Sequence, residues 1–177
     1  MNDPIETAIV SLDPATTALA PVLTGFADLW SESLGPAMPI SSSFVQYNLQ
    51  SSTGVVRRLF VAEADGRMVG AALATALHGE PLVTEHGEGW VDALVVAPAV
   101  QRRGLGRRLL GEAERWLAAQ GCRSVQIGGG LRPFAPGAPQ ASGSADFFVH
   151  CGYTSFEVAW DMAANLAGYT PPALREA

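Results

Sequence analysis

The stretch Asp92–Leu110 reads DALVVAPAVQRRGLGRRLL, and it predicts a strand, a tight glycine turn and the start of a helix, in that order. Apolar β-branched residues favour the strand, and Pro98 marks its end. Gly104 and Gly106 let the backbone curl without Cβ clashes, and the first amides of the following helix have no acceptor within it. Amides that converge in this way favour a bound phosphate.

The charge of the chain sharpens this prediction. The protein of 177 residues carries a formal net charge of -6, contains no lysine, and has a pI of about 4.9. Five arginines nevertheless fall on or beside the glycine turn and the helix after it: Arg102, Arg103, Arg107, Arg108 and Arg115. Local positive charge on an acidic body favours a compact polyphosphate ligand over nucleic acid or an anionic membrane.

The bulk composition predicts one globular domain over residues 1–177, because 48% of the residues are hydrophobic and two domains would be cramped. No N-terminal signal segment or long uncharged apolar run is apparent, so we expect a cytoplasmic protein that does not enter a membrane. Cys122 and Cys151 predict reduced thiols. The histidines and cysteines lack the spacing of metal ligands, so no metal is expected.

Periodicity and turn residues predict the other elements. Asp13 and Pro14 open a helix that ends near Gly35, and serines before Phe44 open a shorter one. Asp65-Gly66 closes a hairpin. The remaining predictions are strands at Trp90–Val96, Ser124–Ile127 and Thr154–Met162, with helices from Leu105 to Gly121, bearing an Arg108–Glu112 pair, and from Ser144 to Cys151. Strand, helix and strand in succession imply that the strands flanking the arginine-rich helix are parallel.

Two common phosphate-binding designs are excluded. A P-loop ends in Gly-Lys-Ser/Thr, and the chain has no lysine. The dinucleotide-binding fingerprint requires a third glycine where Leu109 stands, and an acidic residue where the next strand runs into Gly128-Gly129-Gly130.

The remaining pattern, Gln/Arg-x-x-Gly-x-Gly/Ala between a strand and a helix, resembles the GNAT superfamily of N-acetyltransferases. The resemblance covers roughly Arg58 to Tyr153, including a later helix that ends Phe-Phe-x-x-x-Gly-Tyr. It implies a mixed α/β (α+β) fold, with a central, mostly antiparallel sheet, two splayed parallel strands and flanking helices. It further implies acetyl-CoA as cofactor, and transfer of the acetyl group to a primary amine of a small molecule or of a peptide or protein by direct attack.

The same resemblance implies which residues hold acetyl-CoA. The backbone amides from Arg102 to Arg107 would cradle the pyrophosphate, with Gln101 at the first motif position. Main-chain groups of Leu94–Val96 would pair with the pantetheine arm in the gap between the splayed strands. The full set of expected cofactor-binding residues is Leu94, Val95, Val96, Gln101, Arg102, Arg103, Gly104, Leu105, Gly106, Arg107, Ser142 and Phe148.

The last two of these residues depart from the family pattern. Ser142 stands where relatives often carry asparagine, and Phe148 stands where many carry the tyrosine that protonates the departing thiolate. Phe148 is therefore interpreted as a packing residue that also lines the CoA channel. The missing hydroxyl leaves a second function open, namely a CoA-binding sensor or partner-binding module with little or no transferase activity.

Asp92 is the candidate general base. A carboxylate between Val91 and Ala93 on an apolar strand has a raised pKa if it is buried, as proton abstraction needs, but a solvated residue at the strand entry fits the pattern equally well. Weaker candidates near the acceptor mouth are Glu85, His86, Glu88, His150, Tyr153 and Tyr47.

The loop Gly130–Gln140 is long for a connection between a strand and a helix. It either covers the acceptor entrance, where Arg132 could bind a carboxylate of the acceptor, or forms a rigid surface loop held by its prolines. A homodimer is possible.

Overall fold

The protein is described from a computed structural model, which places residues 7–16, 18–35, 38–50, 52–78, 87–135, 137–139, 143–155 and 167–168. A short 3-10 helix, Pro98–Val100, lies between the strand that ends at Val96 and the helix that begins at Leu105. The elements in chain order are β1 (Ile9–Leu12), α1 (Ala20–Leu34), α2 (Ser42–Leu49), β2 (Val55–Ala64), β3 (Arg67–Leu77), β4 (Glu88–Val96), α3 (Leu105–Ala119), β5 (Ser124–Ile127) and α4 (Ser144–His150).

One five-stranded sheet organises these elements, in the order β1-β2-β3-β4-β5. The first four strands are antiparallel, and β5 runs parallel to β4. The fold class predicted from the sequence, a mixed and mostly antiparallel sheet with flanking helices, is confirmed. Asp65 and Gly66 close the β2–β3 hairpin with φ of 51° and 72°, the left-handed conformation that a two-residue hairpin turn of this kind needs.

Each face of the sheet has its own apolar core. On one face, α1 and α2 pack on alternate residues of the strands, including Leu59, Leu73 and Val95. On the other face, α3 and α4 pack on the residues between them, including Phe60 and Val91. The sheet separates the two cores. Because side chains alternate between the faces of a strand, the position of a residue along its strand decides which helix layer its side chain contacts.

The N-terminal third departs from the sequence prediction. The first helix begins at Ala20, and Asp13 instead closes a turn by accepting a hydrogen bond from Ala15 N at 2.9 Å. Aspartate before proline is as favourable in such a turn as at a helix start, so the local signal had two solutions. Strand β1 was not predicted. Its four residues are half-buried or exposed at the edge of the sheet, which leaves no clear alternation to detect.

Three further predictions need comment. Glu112 pairs with Arg115 rather than Arg108, whose guanidinium donates to Thr7 O at 2.6 Å. The predicted last strand lies outside the described residues apart from its first two, which belong to no element. No helix in the described part of the chain has the length and apolarity that a bilayer crossing requires.

Gly70 marks a close approach of α3 to the sheet. A Cβ atom there would lie 2.8 Å from Leu109 Cδ1 and 3.1 Å from Leu105 Cδ2, and both leucines are buried. We expect Gly70→Ala to lower the free energy of unfolding by about 1–3 kcal/mol through overpacking. Urea denaturation followed by circular dichroism measures the change.

Gly111→Ala is the matched control, because a Cβ atom at this position in α3 would have no atom within 4 Å. It should raise the free energy of unfolding by roughly 0.5–1 kcal/mol, the usual gain for alanine over glycine inside a helix. Equal effects of the two substitutions would contradict the tight contact at Gly70.

Candidate active site

The parallel ladder between β4 and β5 is short. It pairs Glu88 with Ser124 at one end and Val91 with Ile127 at the other, and Gly128 N then donates to Val91 O at 2.9 Å. Strand β4 continues to Val96, whereas β5 ends at Ile127. Among the described residues, no strand therefore pairs with this side of β4 beyond Val91, and the space beside this stretch is called the gap.

The hydrogen-bond phase of β4 decides which backbone groups face this gap. Ala97 N donates to Val69 O at 2.9 Å, and the register sets Val95 opposite Ala71 and Val96 opposite Gly70. Because bonded and non-bonded pairs alternate along an antiparallel ladder, the main-chain groups of Val95 point to β3, and those of Leu94 and Val96 point to the gap.

Two side chains hold the carbonyl of Val96 at the end of this edge. Gln101 Nε2 donates to it at 2.9 Å and Ser33 Oγ donates at 3.2 Å. Gln101, the first residue of the glycine motif, thus ties the turn to β4. Its amide side chain fixes where the turn begins relative to the strand edge.

The turn itself is shaped for an anion. Arg102 and Gly104 adopt left-handed φ of 61° and 82°, and a Cβ atom at Gly104 would meet nothing within 4 Å. The amide of Arg108 donates to Gly104 O at 3.1 Å, so the amides before it lie in the first turn of α3, where helix geometry supplies no acceptor. Arg103 Nε is buried and has no hydrogen-bond partner among the described residues. Converging amides, a helix N-terminus and arginines together favour phosphate.

The start of α3 also contacts α4. The ring of Phe147 lies 3.5 Å from the position a Cβ atom would take at Gly106, and Arg107 Nη2 donates to His150 O at 3.3 Å. The side chain of Leu105 is buried in the core, so only its amide faces outward from the turn. Glycine at 106 thus lets the turn and α4 approach each other closely.

Phe148 packs in the core at the same end of the molecule. It is 9% exposed and stacks edge to face on Tyr153, with ring centroids 5.8 Å apart. It has no proton to donate. Ser142, the other residue that departs from the family pattern, lies outside the described residues.

Asp92 directly follows the last residue of β4 that pairs with β5. The register runs from Ala74 opposite Val91 to Leu73 opposite Ala93, which leaves Asp92 as the extra residue of a β-bulge. The bulge turns the carboxylate towards Thr75, whose hydroxyl donates to Asp92 Oδ2 at 2.5 Å. Asp92 is 3% exposed, so the alternative of a solvated strand-entry residue is wrong.

Burial raises the pKa of Asp92 from 3.8 to about 6, and the Thr75 hydrogen bond, the charge of Arg57 and the amide of Gly130 lower it in part. Gly130 lies against Oδ1, where a Cβ atom would overlap the carboxylate. The amide of Gly130 is near enough to lower the pKa, but Oδ1 accepts no hydrogen bond from the described residues. The site therefore contains a buried carboxylate with one oxygen fixed and one oxygen uncommitted.

Arg57 was not singled out in the sequence, yet it belongs to this site. It lies opposite Thr75 on the neighbouring strand, is 6% exposed, and donates from Nη1 to Gln50 O at 2.9 Å. Arg132, from the loop after β5, donates to the same carbonyl at 3.3 Å. The sequence predicts the hairpin strands at Arg58–Ala64 and Met68–Leu77, which leaves Arg57 outside the first of them. Pairing of the longer observed strands brings Arg57 and Thr75 to Asp92.

The loop after β5 is anchored rather than free. Phe134 is buried against Phe26 and Trp30 of α1, with ring centroids 5.3 Å and 5.5 Å away. Gly129 N donates to Ala135 O at 3.1 Å, which closes the loop on itself. Arg132 is therefore presented by a fixed segment beside α2.

The remaining candidates are placed as follows. Glu85 and His86 lie outside the described residues. Glu88 accepts from Gln126 Nε2 at 3.2 Å, and His150 Nδ1 lies 2.6 Å from Asp146 O.

Tyr153 donates to Glu114 Oε1 at 2.7 Å, and burial with this carboxylate raises its pKa. The described residues hold no group of three or more His, Cys, Asp or Glu side chains that could bind a metal ion.

Comparison with known proteins identifies the fold. The model of the acetyltransferase (GNAT) family matches residues 23–131, more than half of the chain. No curated protein matches the sequence.

Three solved structures with similar folds illustrate the neighbourhood. An aminoglycoside acetyltransferase from an uncultured soil metagenomic sample, in complex with sisomicin, is 18% identical with a TM-score of 0.63, over 90% of this chain and 97% of that one. Aminoglycoside N-acetyltransferase AAC(6')-Iy with a bisubstrate analogue is 19% identical with a TM-score of 0.58, over 89% and 99%. The GCN5-related glucosamine N-acetyltransferase region of a fungal multi-domain β-N-acetylglucosaminidase is 20% identical with a TM-score of 0.66, over 85% of this chain but 17% of that protein.

The chain belongs to the acetyltransferase (GNAT) family. Acetyl-CoA is the donor of this family, and its groups fit three features of the described residues: an anion turn with open space beside Gly104, a buried arginine nitrogen without a hydrogen-bond partner among them, and a stretch of β4 beyond Val91 that pairs with no described strand on one side.

The buried carboxylate makes stability depend on pH. The pKa of Asp92 is higher in the folded protein than its ordinary value, so its contribution to stability is complete below about pH 4 and is lost as the pH rises through about 6. The unfolding free energy of the wild type, relative to Asp92→Asn, should rise by about 1 kcal/mol between pH 7 and pH 5.

Urea titrations of both proteins at the two pH values measure this difference. Asp28→Asn is the control, because it removes the same charge from an exposed position on α1. A constant difference between wild type and Asp92→Asn across this pH range would contradict the raised pKa.

Proposed function

We propose that the protein transfers the acetyl group of acetyl-CoA to a primary amine by direct attack, with Asp92 as the general base. The observation that carries this proposal is the position of Asp92. Its uncommitted oxygen lies at the point where β4 and β5 part, directly before the strand edge formed by Leu94 and Val96. Acid–base chemistry and cofactor binding thus meet at one place on β4.

The proposed cofactor site combines the turn and the strand edge. The amides from Arg102 to Arg107 hold the pyrophosphate, with Gly104 allowing close approach. Gln101 positions the turn through its bond to Val96 O. The main-chain groups of Leu94 and the N–H of Val96 face the gap and bind the pantetheine arm, because Val96 O already accepts from Gln101 and Ser33. The main-chain groups of Val95 bond to β3 and hold this strand edge in place. When bound, acetyl-CoA supplies the thioester carbonyl that the amine attacks.

Asp92 suits the role of base because it is ionised near neutral pH, yet has a pKa high enough to accept a proton. The Thr75 hydroxyl fixes Oδ2, which leaves Oδ1 to receive the proton from the amine. Since Asp92 is 3% exposed, we propose that an intervening water carries the proton to it.

The thiolate that leaves has no obvious acid in the described residues around α4. Phe148 packs against Phe147 and Tyr153 and offers no hydroxyl, so we assign protonation of the thiolate to solvent. The same observation favours the second candidate, a CoA-binding sensor or partner-binding module with little or no transferase activity. In either case, we propose that Ser142 and Phe148 border the CoA channel and that residues 1–177 form one domain.

One experiment separates the two candidates. Acetyl-CoA is titrated into the protein by calorimetry, and thiol release is then followed with a panel of primary amines. Binding with turnover supports the transferase, and binding without turnover supports the sensor. Absence of binding would overturn both.

The anion turn is tested by charge at Gly104. Gly104→Glu places a carboxylate in the open space beside the turn, so we expect acetyl-CoA affinity to fall by roughly a hundredfold or more through repulsion of the pyrophosphate. Calorimetric dissociation constants for variant and wild type measure the loss.

Gly121→Glu is a matched control for this variant. Gly121 has φ of 88°, a Cβ position with no atom within 4 Å, and a place at the opposite end of α3. It therefore introduces the same charge and similar backbone strain without touching the turn. Equal affinity losses in both variants would place the pyrophosphate elsewhere.

The base is tested by Asp92→Asn with a good acceptor amine. We expect kcat to fall by about 10²–10⁴-fold, the usual contribution of a general base. The wild-type rate should increase with pH through about 6 as Asp92 ionises, and the variant should lack this limb. Asp28→Asn keeps both the rate and the limb. Retention of the limb in Asp92→Asn would assign it to another group.

A further inference from the structure

Two guanidinium groups converge beside the proposed base. Arg57 donates from Nη1 to Gln50 O at 2.9 Å, and Arg132 donates from Nη1 to the same oxygen at 3.3 Å. Arg132 also donates to Tyr47 O at 3.1 Å and stacks over the Tyr47 ring at 4.8 Å. The end of α2 thus presents unsatisfied helix carbonyls that hold both cations in place.

Neither arginine forms an ion pair with a carboxylate of the described residues. The ion pairs within 4.0 Å that the described residues form include neither Arg57 nor Arg132. Arg57 is 6% exposed, and its Nε has no hydrogen-bond partner in this part of the chain. Arginine is almost never buried to this degree without a partner of opposite charge.

The charges near these arginines do not cancel. Burial lowers the pKa of Arg57, and Arg132 lowers it further, whereas the charge of Asp92 raises it. The carboxylate of Asp92 acts on Arg57, and it already accepts the Thr75 hydroxyl. A carbonyl holds a cation in position but does not neutralise it, so the described residues leave an excess of positive charge beside Gln50.

We propose that Arg57 and Arg132 form a subsite for a carboxylate of the acceptor, so that the preferred acceptor is a small zwitterion, a primary amine that also carries a carboxylate. This inference rests on the proposed acetyl transfer, because it places the amine at Asp92. The amine then lies at the negative side of the site and the carboxylate at the positive side. Planar guanidinium groups suit a carboxylate, which accepts two parallel hydrogen bonds.

The same charges disfavour a polycation. The similar solved structures include an aminoglycoside acetyltransferase bound to sisomicin, which carries several amines. A second ammonium group placed near Arg57 and Arg132 would be repelled in a site where burial weakens screening. The electrostatics therefore distinguish this chain from a protein that accepts such ligands.

Matched pairs of amines test the subsite. β-Alanine is compared with β-alaninamide, and γ-aminobutyrate with its amide, because each amide keeps the amine and removes the negative charge. We expect the carboxylates to have kcat/KM values higher by on the order of tenfold to a hundredfold in the thiol-release assay. Sisomicin should be a poorer acceptor than the better of the two amino acids.

Arg132→Met is the decisive variant, because Arg132 lies in a loop and is only half-buried. It should abolish the preference for the carboxylates while leaving turnover of the amides within about twofold. Arg57→Met should also abolish the preference for the carboxylates, but it removes a charge that lowers the pKa of Asp92, so only the ratio of acid to amide turnover is compared in this variant. Arg58→Met is the control, since Arg58 belongs to the same strand but pairs with Asp13 and packs on Trp116.

The outcomes separate this inference from the proposed function. Equal use of acid and amide, or a preference for sisomicin, would overturn the carboxylate subsite while leaving acetyl transfer intact. If acetyl-CoA binds but no amine is acetylated, the transfer proposal fails, and calorimetry of γ-aminobutyrate and butyrate with the CoA-bound protein decides the subsite. Binding that Arg132→Met abolishes sustains it, and absence of binding overturns it.

Discussion

The extra residue in β4 is the constraint on which the site depends. Because Asp92 has no partner on β3, the hydrogen-bond phase of the strand reverses there. Before the bulge, Val91 O bonds to Gly128 beyond the end of β5; after it, Leu94 and Val96 face the gap while Val95 bonds to β3. A regular strand would have turned the opposite set of groups outward. One insertion thus sets both the open strand edge and the direction of the carboxylate.

The bulge also explains why a charge is tolerated in the sheet. Burial of a carboxylate is costly unless it is hydrogen-bonded, and Thr75 on the adjacent strand supplies one bond. The pKa remains raised, at about 6, because the Thr75 hydrogen bond offsets only part of the free-energy cost of burying the charge. Further hydrogen bonds to the carboxylate of Asp92 would lower its pKa and make it a weaker base. The incomplete satisfaction of Oδ1 is therefore consistent with chemistry at this atom rather than with a purely structural role.

Helices α1 and α2 cover the face of the sheet that carries Thr75 and Arg57, and they supply fixed carbonyl dipoles and rigid packing contacts. Gln50 and Tyr47, at the end of α2, position two arginines by their carbonyl oxygens, and Phe134 fastens the loop that carries Arg132. The other face carries the anion turn at the start of α3. Donor binding and acceptor recognition are thus assigned to different layers that meet only at β4, so either can vary without rebuilding the other.

The sequence by itself determined the hairpin, the parallel pair of strands, the glycine turn and the family, because these follow from local patterns: Asp65-Gly66 needs positive φ, and Gly104 precedes helical periodicity. It also singled out Asp92, although it could not decide whether that carboxylate was buried. Only the tertiary structure decided that Asp92 is buried. It also decided the position of the bulge, the Thr75 hydrogen bond and the approach of Arg57 and Arg132 to the same carbonyl oxygen, Gln50 O. The reason is physical: strand register and the docking of α2 are long-range choices, and no local periodicity records which residues they bring together.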